Sequence, residues 1–196
     1  MPSKEVQFWD WFTQFEPQLY HADQNSVELF QALNQELAKI SKGLTFEFSA
    51  VPEGEIKDFC ISADGMKEYF PAVIDLVKVA PKFENWNIRA FRQRIANDNI
   101  AISMGDIDLS YDDIFFTYTI EDGKICIDLY IRDFVNNDDR FISAIFILLD
   151  ALLGEYDVVT QIGAIEWTLL DEMQVEYLSP FISLRNLTDR NKAIKN

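Results

Sequence analysis

The chain has 196 residues, is 48% hydrophobic and carries a formal charge of −16, with a pI near 4.3. This length fits one domain, and sixteen Phe with ample apolar content exclude a disordered chain. So acidic a surface repels phosphate backbones and anionic lipid, so neither nucleic acid nor membrane is an expected partner, and a basic protein is the natural electrostatic complement.

Residues 4–20 read as an amphipathic helix, with Phe8, Trp11, Phe12, Phe15 and Leu19 in one stripe and Trp9 beside it. Such a stripe serves as core or, through Trp9 and Trp11, as a partner-binding face. Asn25 with Glu28 resembles a capping box for a second helix lined by Phe30, Leu33, Leu37 and Ile40, with Gly43 as its stop. Leu44, Phe46 and Phe48 alternate with polar neighbours in a first strand. Pro52-Glu53-Gly54 then turns the chain into a second strand, Ile56–Ala63, which should pair with the first as a hairpin.

Asp64-Gly65 closes that strand. Tyr69, Phe70, Val73, Ile74 and Val77 follow at helical spacing, with Pro71 tolerated if the regular helix begins near Phe70. Trp86–Arg94 reads as a further strand, reached by one long crossover. It carries three of the chain's seven arginines: alternation puts Arg92 and Arg94 on one face and Arg89 on the other. They read as ion-pair partners for the surplus carboxylates, or as a small-anion site completed by Ser62 and Asp64 in the preceding turn.

Beyond Arg94, Asn97-Asp98-Asn99 is a turn and Ile100–Leu109 a strand interrupted at Gly105. Ile114–Ile120 and Lys124–Arg132 form a hairpin around Glu121-Asp122-Gly123. Asn136–Asp139 offers caps for an apolar helix, Arg140–Leu153, closed by Gly154. Glu155–Asp157 reads as a loop, Ile162–Leu170 as a last strand, and Leu178–Leu187 as a short helix broken near Pro180. A polar tail from about residue 189 should fray. The sum is a single α+β domain over residues 1–196, mainly antiparallel, with one βαβ-like crossover and packed helices.

The segments FWDWF, ISADG, LVKVAP, WNIRAFRQR and GEY resemble a family of bacterial intracellular proteins of unknown function, over roughly residues 8–170. That resemblance implies no assigned activity, so no functional residue carries over from it.

The chemistry of catalysis is thin. His21 is the sole histidine, which excludes a multi-histidine metal site, and it reads as a surface residue between helices. Neither a GxSxG nor a glycine-rich nucleotide loop occurs. Asp106, Asp108, Ser110 and Asp112 alternate, but Tyr111 and Thr117 stand where an EF-hand loop needs Gly and Glu. A carboxylate pair for acid–base work could be drawn from Asp64, Glu155, Asp157 and Glu166. Cys60 and Cys126 show no framework spacing and read as reduced thiols. With no secretory leader and no apolar run near the ~20 residues that span a bilayer, the expected place is the cytoplasm. The expected role is a non-enzymatic, immunity- or adaptor-type binding domain without cofactor or metal. The alternatives are an anion-binding domain using the arginines, or a carboxylate-dependent enzyme.

Overall fold

The computed structural model describes residues 2–52, 54–136 and 138–195. Helices and mixed sheets build an α+β fold. Its contacts divide into two units, Met1–Arg92 and Gln93–Asn196.

In the first unit, α1 (Lys4–Tyr20) starts at Ser3, whose side chain accepts from the Val6 N–H. It buries Phe8, Trp9, Phe12 and Leu19. The inward stripe is therefore rotated from the one read in the sequence: Trp9 lies inside and Trp11 at the margin. In α2 (Val27–Ile40), Leu33 and Leu37 are fully buried. Its N-cap is Ser26 rather than Asn25. The Asp23 carboxylate takes the local donors instead, accepting from the Asn25 backbone at 2.9 Å and from Ser26 Oγ at 3.2 Å.

Gly43 does not end α2 in a left-handed turn; Ser41 closes it in extended conformation. Gly43 is required for space, because a Cβ there would overlap the Tyr69 ring.

β1 (Thr45–Phe48) and β2 (Lys57–Ser62) form the expected antiparallel hairpin, with Phe48 opposite Phe59. Of the turn read at Pro52-Glu53-Gly54, Glu53 lies outside the described residues. A 3-10 turn at Lys67–Tyr69 leads into α3 (Phe70–Lys78), with Pro71 in its first turn. β3 (Trp86–Ala90) returns parallel to β2, giving the order β1-β2-β3. The core between these elements is aromatic: Phe12 stacks on Phe59 at 5.0 Å and meets Trp86 edge-on at 5.5 Å.

β3 stops four residues short of the predicted end. Phe91 adopts φ +67°, a conformation that a bulky side chain rarely takes. Two contacts hold it there: its N–H donates to the Ile61 carbonyl at 2.8 Å, and its ring lies 4.3 Å from that of Phe70. A residue in the left-handed region ends the strand's alternation, so Arg92 and Arg94 are not strand residues.

In the second unit, the interruption at Gly105 is a hairpin turn (φ +70°) between β4 (Ala101–Met104) and β5 (Ile107–Ser110). β6 (Ile114–Glu121) and β7 (Lys124–Ile131) pair around Asp122 and Gly123, both at positive φ, as an Asp-Gly hairpin requires. α4 (Asp139–Leu153) is capped by the Asp138 side chain, while Asn137 of the predicted cap lies outside the described residues. Its Ala144, Ile145, Leu148, Leu149 and Leu152 are fully buried against Ile125, Leu129 and Ile131 of β7.

The segment read as a loop after Gly154 is a helix, α5 (Glu155–Gln161), whose Val158 N–H bonds to the Gly154 carbonyl. β8 (Ile162–Leu169) then runs parallel to β7, so α4 and α5 make a second crossover that the sequence reading lacked. The short β9 (Ser179–Pro180) adds to β6 and completes the order β8-β7-β6-β9. Pro180 sits on an edge strand, where its missing N–H is harmless. The polar end expected to fray is instead α6 (Leu184–Lys195), reached through a 3-10 turn at Phe181–Ser183. It is tied down by polar side chains, among them Asn191, whose Nδ2 donates to the Gly123 carbonyl at 2.9 Å.

No helix among the described residues is long and apolar enough to cross a membrane.

Candidate functional site

The early end of β3 disperses the three arginines. Arg89 remains on the strand, with Nε 3.5 Å from Asp58 and almost half of its side chain exposed. Arg92 stays in the first unit and bridges Glu47 and Asp64, the latter at 2.9 Å. Arg94 belongs to the second unit. It grips Asp189 with two parallel bonds of 3.0 and 2.8 Å and reaches Asp157 at 3.4 Å. The Asp189 contact lifts the Arg94 pKa above its ordinary value, and the same bond lowers that of Asp189.

Of the five residues read as a small-anion site, Ser62, Asp64 and Arg92 do come together. Ser62 is buried, and its hydroxyl accepts from the Asp64 N–H at 2.9 Å. However, the anion at the guanidinium is the protein's own: Asp64 and Glu47 occupy the face a ligand would need. Arg132, Arg140 and Arg185 are likewise paired, with Asp113 and Glu172, with Asp106 and Asp138, and with Asp98. Among the described residues, six of the seven arginines thus carry carboxylate partners.

Trp9 is not a partner-binding residue. It is 3% exposed and its indole N–H donates to the Leu76 carbonyl at 2.8 Å. Trp11 is half-buried and stacks on Phe15 at 4.9 Å.

The remaining chemical candidates separate in the same way. Asp157 on α5 is held by Arg94 and by Lys192 at 2.7 Å. Glu155 lies nearby in sequence and is fully buried, whereas Glu166 is an exposed residue of β8. Asp106 pairs with Arg140, and Asp108 accepts from Ser103 Oγ at 2.6 Å, which accounts for two of the alternating acids. Among the described residues no group of three His, Cys, Asp or Glu is placed to hold a metal ion. His21 is exposed and edge-on to Tyr20, and no disulfide joins Cys60 and Cys126.

Two features that the sequence reading passed over stand out. The first is Lys57, 8% exposed at the start of β2. Its Nζ donates to the Tyr20 carbonyl at 2.7 Å and lies 5.4–5.8 Å from the rings of Tyr20, Phe48 and Trp86. Burial pulls its pKa below that of an ordinary lysine.

The second is the solvent face of the four-stranded sheet. There Asp128 of β7 is register partner to Glu166 of β8 and to Thr117 of β6. Both acids are exposed and, among the described residues, neither has a cation within 4 Å. Thr117 Oγ1 donates to Asp128 at 3.3 Å. In the flanking row Phe115 pairs with Tyr130, both partly buried. The parallel register of β7 and β8 thus sets two acids side by side on one exposed face. Period-two alternation in β7 and β8 shows which residues face outward; only the register shows that two acids meet.

Comparison with known proteins finds no family model, no curated protein and no solved structure that matches this chain.

Proposed function

We propose that the chain is a non-enzymatic, cytoplasmic protein-binding domain of the immunity or adaptor type, and that its partner is basic. The observation that carries this reading is the internal use of its arginines. Among the described residues six of the seven arginines pair with the protein's own carboxylates, so the guanidinium groups are largely engaged internally, while acids still outnumber bases by sixteen over the sequence. The surplus is concentrated: Gln93–Asn196 holds 19 of the 33 acidic residues and 8 of the 17 basic ones.

Within that unit the open sheet face combines the Asp128–Glu166 pair with Phe115 and Tyr130. Acids that repel each other, beside aromatic rings, suit a Lys- or Arg-bearing surface: a cation seated between the carboxylates relieves their repulsion, and the rings supply contact area. That no disulfide joins Cys60 and Cys126 agrees with a reducing compartment.

The test begins with capture of partners from lysate of the source cells at low salt, using wild type and an Asp128→Lys, Glu166→Lys variant. Any protein captured by wild type alone is then purified and titrated in a calorimeter. The reading expects a partner of high pI whose affinity falls steeply with salt and at least tenfold in the variant. A reconstituted partner indifferent to salt and to both substitutions would refute it.

A further inference from the structure

The surroundings of Lys57 hold more than a packed side chain needs. Its bond to the Tyr20 carbonyl has a plain structural purpose: Tyr20 is the last residue of α1, and an ammonium there satisfies a carbonyl that lacks a helical partner and faces the negative end of the helix dipole. That accounts for one of three N–H donors. The rings of Tyr20, Phe48 and Trp86 stabilise the charge as a whole but accept no conventional hydrogen bond. Among the described residues no carboxylate lies within 4 Å of Nζ, in a chain where acids outnumber bases by sixteen. An ammonium so buried and so incompletely bonded is under-solvated, consistent with its lowered pKa.

Lys57 also borders a cleft of about 210 Å³, whose other walls are Tyr20, His21, Ala22, Val51 and Pro52. At ~30 Å³ per water the cleft holds about seven waters, which is smaller than the ~300 Å³ at which drug-sized sites begin. The Tyr20 hydroxyl is already used: it donates to the Glu55 carbonyl at 2.7 Å and accepts from the Gly54 N–H at 3.0 Å. This fixes the ring as a wall and leaves Lys57 as the buried cation of the cleft, with the exposed His21 as its other ionisable wall.

We infer that this cleft is a binding site for a short monocarboxylate, with the carboxylate on Lys57 Nζ and the hydrocarbon part against Tyr20, Val51 and Pro52. The charge class follows from the donor count. One buried ammonium with spare N–H groups acts as a point charge that matches one carboxylate, and His21 is the other ionisable group on the cleft wall, whereas phosphate is held best where several donors converge. The size class follows from the volume. The site is separate from the protein-binding face proposed above and does not depend on it.

The experiment follows the lysine Nζ resonance in full-length protein labelled with ¹⁵N-lysine, during titration with acetate, butyrate, benzoate and inorganic phosphate. The expected result is a saturable shift of the Lys57 signal with butyrate and benzoate, several-fold tighter than with acetate because added methylene groups are buried. Lys57→Met should weaken binding at least tenfold, and Arg92→Ala should leave it unchanged. Should Lys57→Met fail to fold, the wild-type titration still decides, since it reads the ammonium directly. A Lys57 resonance unmoved up to about 0.1 M carboxylate would overturn the inference. So would equal binding by folded Lys57→Met, or tighter binding of phosphate than of any carboxylate.

Discussion

Replacing Arg94 by Ala tests whether the arginine cluster is structural. Arg94 makes two parallel charged bonds to Asp189 and a longer one to Asp157, and about a third of its side chain is exposed. Fully buried, such a pair would cost 3–5 kcal/mol to break. Here Asp189 is about half exposed and can be hydrated once released, and Asp157 keeps Lys192 at 2.7 Å. The bidentate geometry still lifts the pair above the usual 0–1 kcal/mol of a surface bridge. The expected loss is therefore about 1–2 kcal/mol, against less than about 0.5 kcal/mol for Arg89→Ala, whose single contact is long and exposed. Removing Arg94 and Lys192 together strips both cations from Asp157, whose side chain is only 12% exposed. The double variant should lose more than the two single losses combined, roughly 3–5 kcal/mol in all.

Urea unfolding at pH 7 measures Arg94→Ala, Arg89→Ala, Lys192→Ala and the double variant, with an unchanged slope as the check that the unfolded state is comparable. The pH dependence follows from Asp189. Its folded pKa is lowered, so the stability it contributes is present above the unfolded pKa near 3.8 and lost as pH falls through the folded value. The gap between wild type and Arg94→Ala should thus be full above about pH 5 and shrink below pH 4. Equal losses for Arg89→Ala and Arg94→Ala at pH 7, or a gap that persists undiminished at pH 2, would refute the structural reading.

Gly43→Ala should cost about 1–3 kcal/mol, because the new methyl overlaps the Tyr69 ring, and most of the loss should vanish in a Tyr69→Ala background when thermal melts of the four proteins are compared. Tyr111→Phe should not destabilise at pH 7 and should gain up to about 1–2 kcal/mol, since among the described residues the buried hydroxyl has no hydrogen-bond partner to lose and its desolvation is relieved. Burial pushes the Tyr111 pKa up to about 12, above its unfolded value, so stability should decline as pH rises from about 10 to 12, and this decline should be smaller in Tyr111→Phe. Thiol titration of protein unfolded without reductant should count two thiols, Cys60 and Cys126; a count of zero would show that they pair with each other.

How much was legible in the sequence depended on the range of the interaction that decides each feature. The β1–β2 and β6–β7 hairpins, the entry into α3 at Phe70 and the cap of α4 rest on neighbours in the chain, and the spacing of Phe46, Phe48, Phe59 and Ile61 and the Asp122-Gly123 pair disclosed them. α5 was missed because EYDVVTQ is short, β-branched and set behind a glycine, and only the packing of Val158 and Ile162 makes it regular. α6 was read too early and too short, as a helix over Leu178–Leu187, for a related reason: its polar second half looks like a tail until Asp189, Asn191 and Lys192 find Arg94, Gly123 and Asp157.

The arginines show the limit most clearly. That three guanidinium groups in so acidic a chain must find acceptors follows from their charge alone. Which acceptors they find turned on one backbone dihedral. Had Phe91 stayed extended, Arg92 and Arg94 would share a face as alternation demands. At φ +67° the strand ends instead, with its N–H still bonded to Ile61 and its ring against Phe70. Arg92 then meets Glu47 and Asp64, while Arg94 meets Asp157 and Asp189, at separations in sequence of up to 95 residues. No local pattern encodes those partners. The same holds for the candidate sites: the Asp128–Glu166 pair exists through strand register, and the Lys57 cage is assembled from the end of α1 and from all three strands of one sheet.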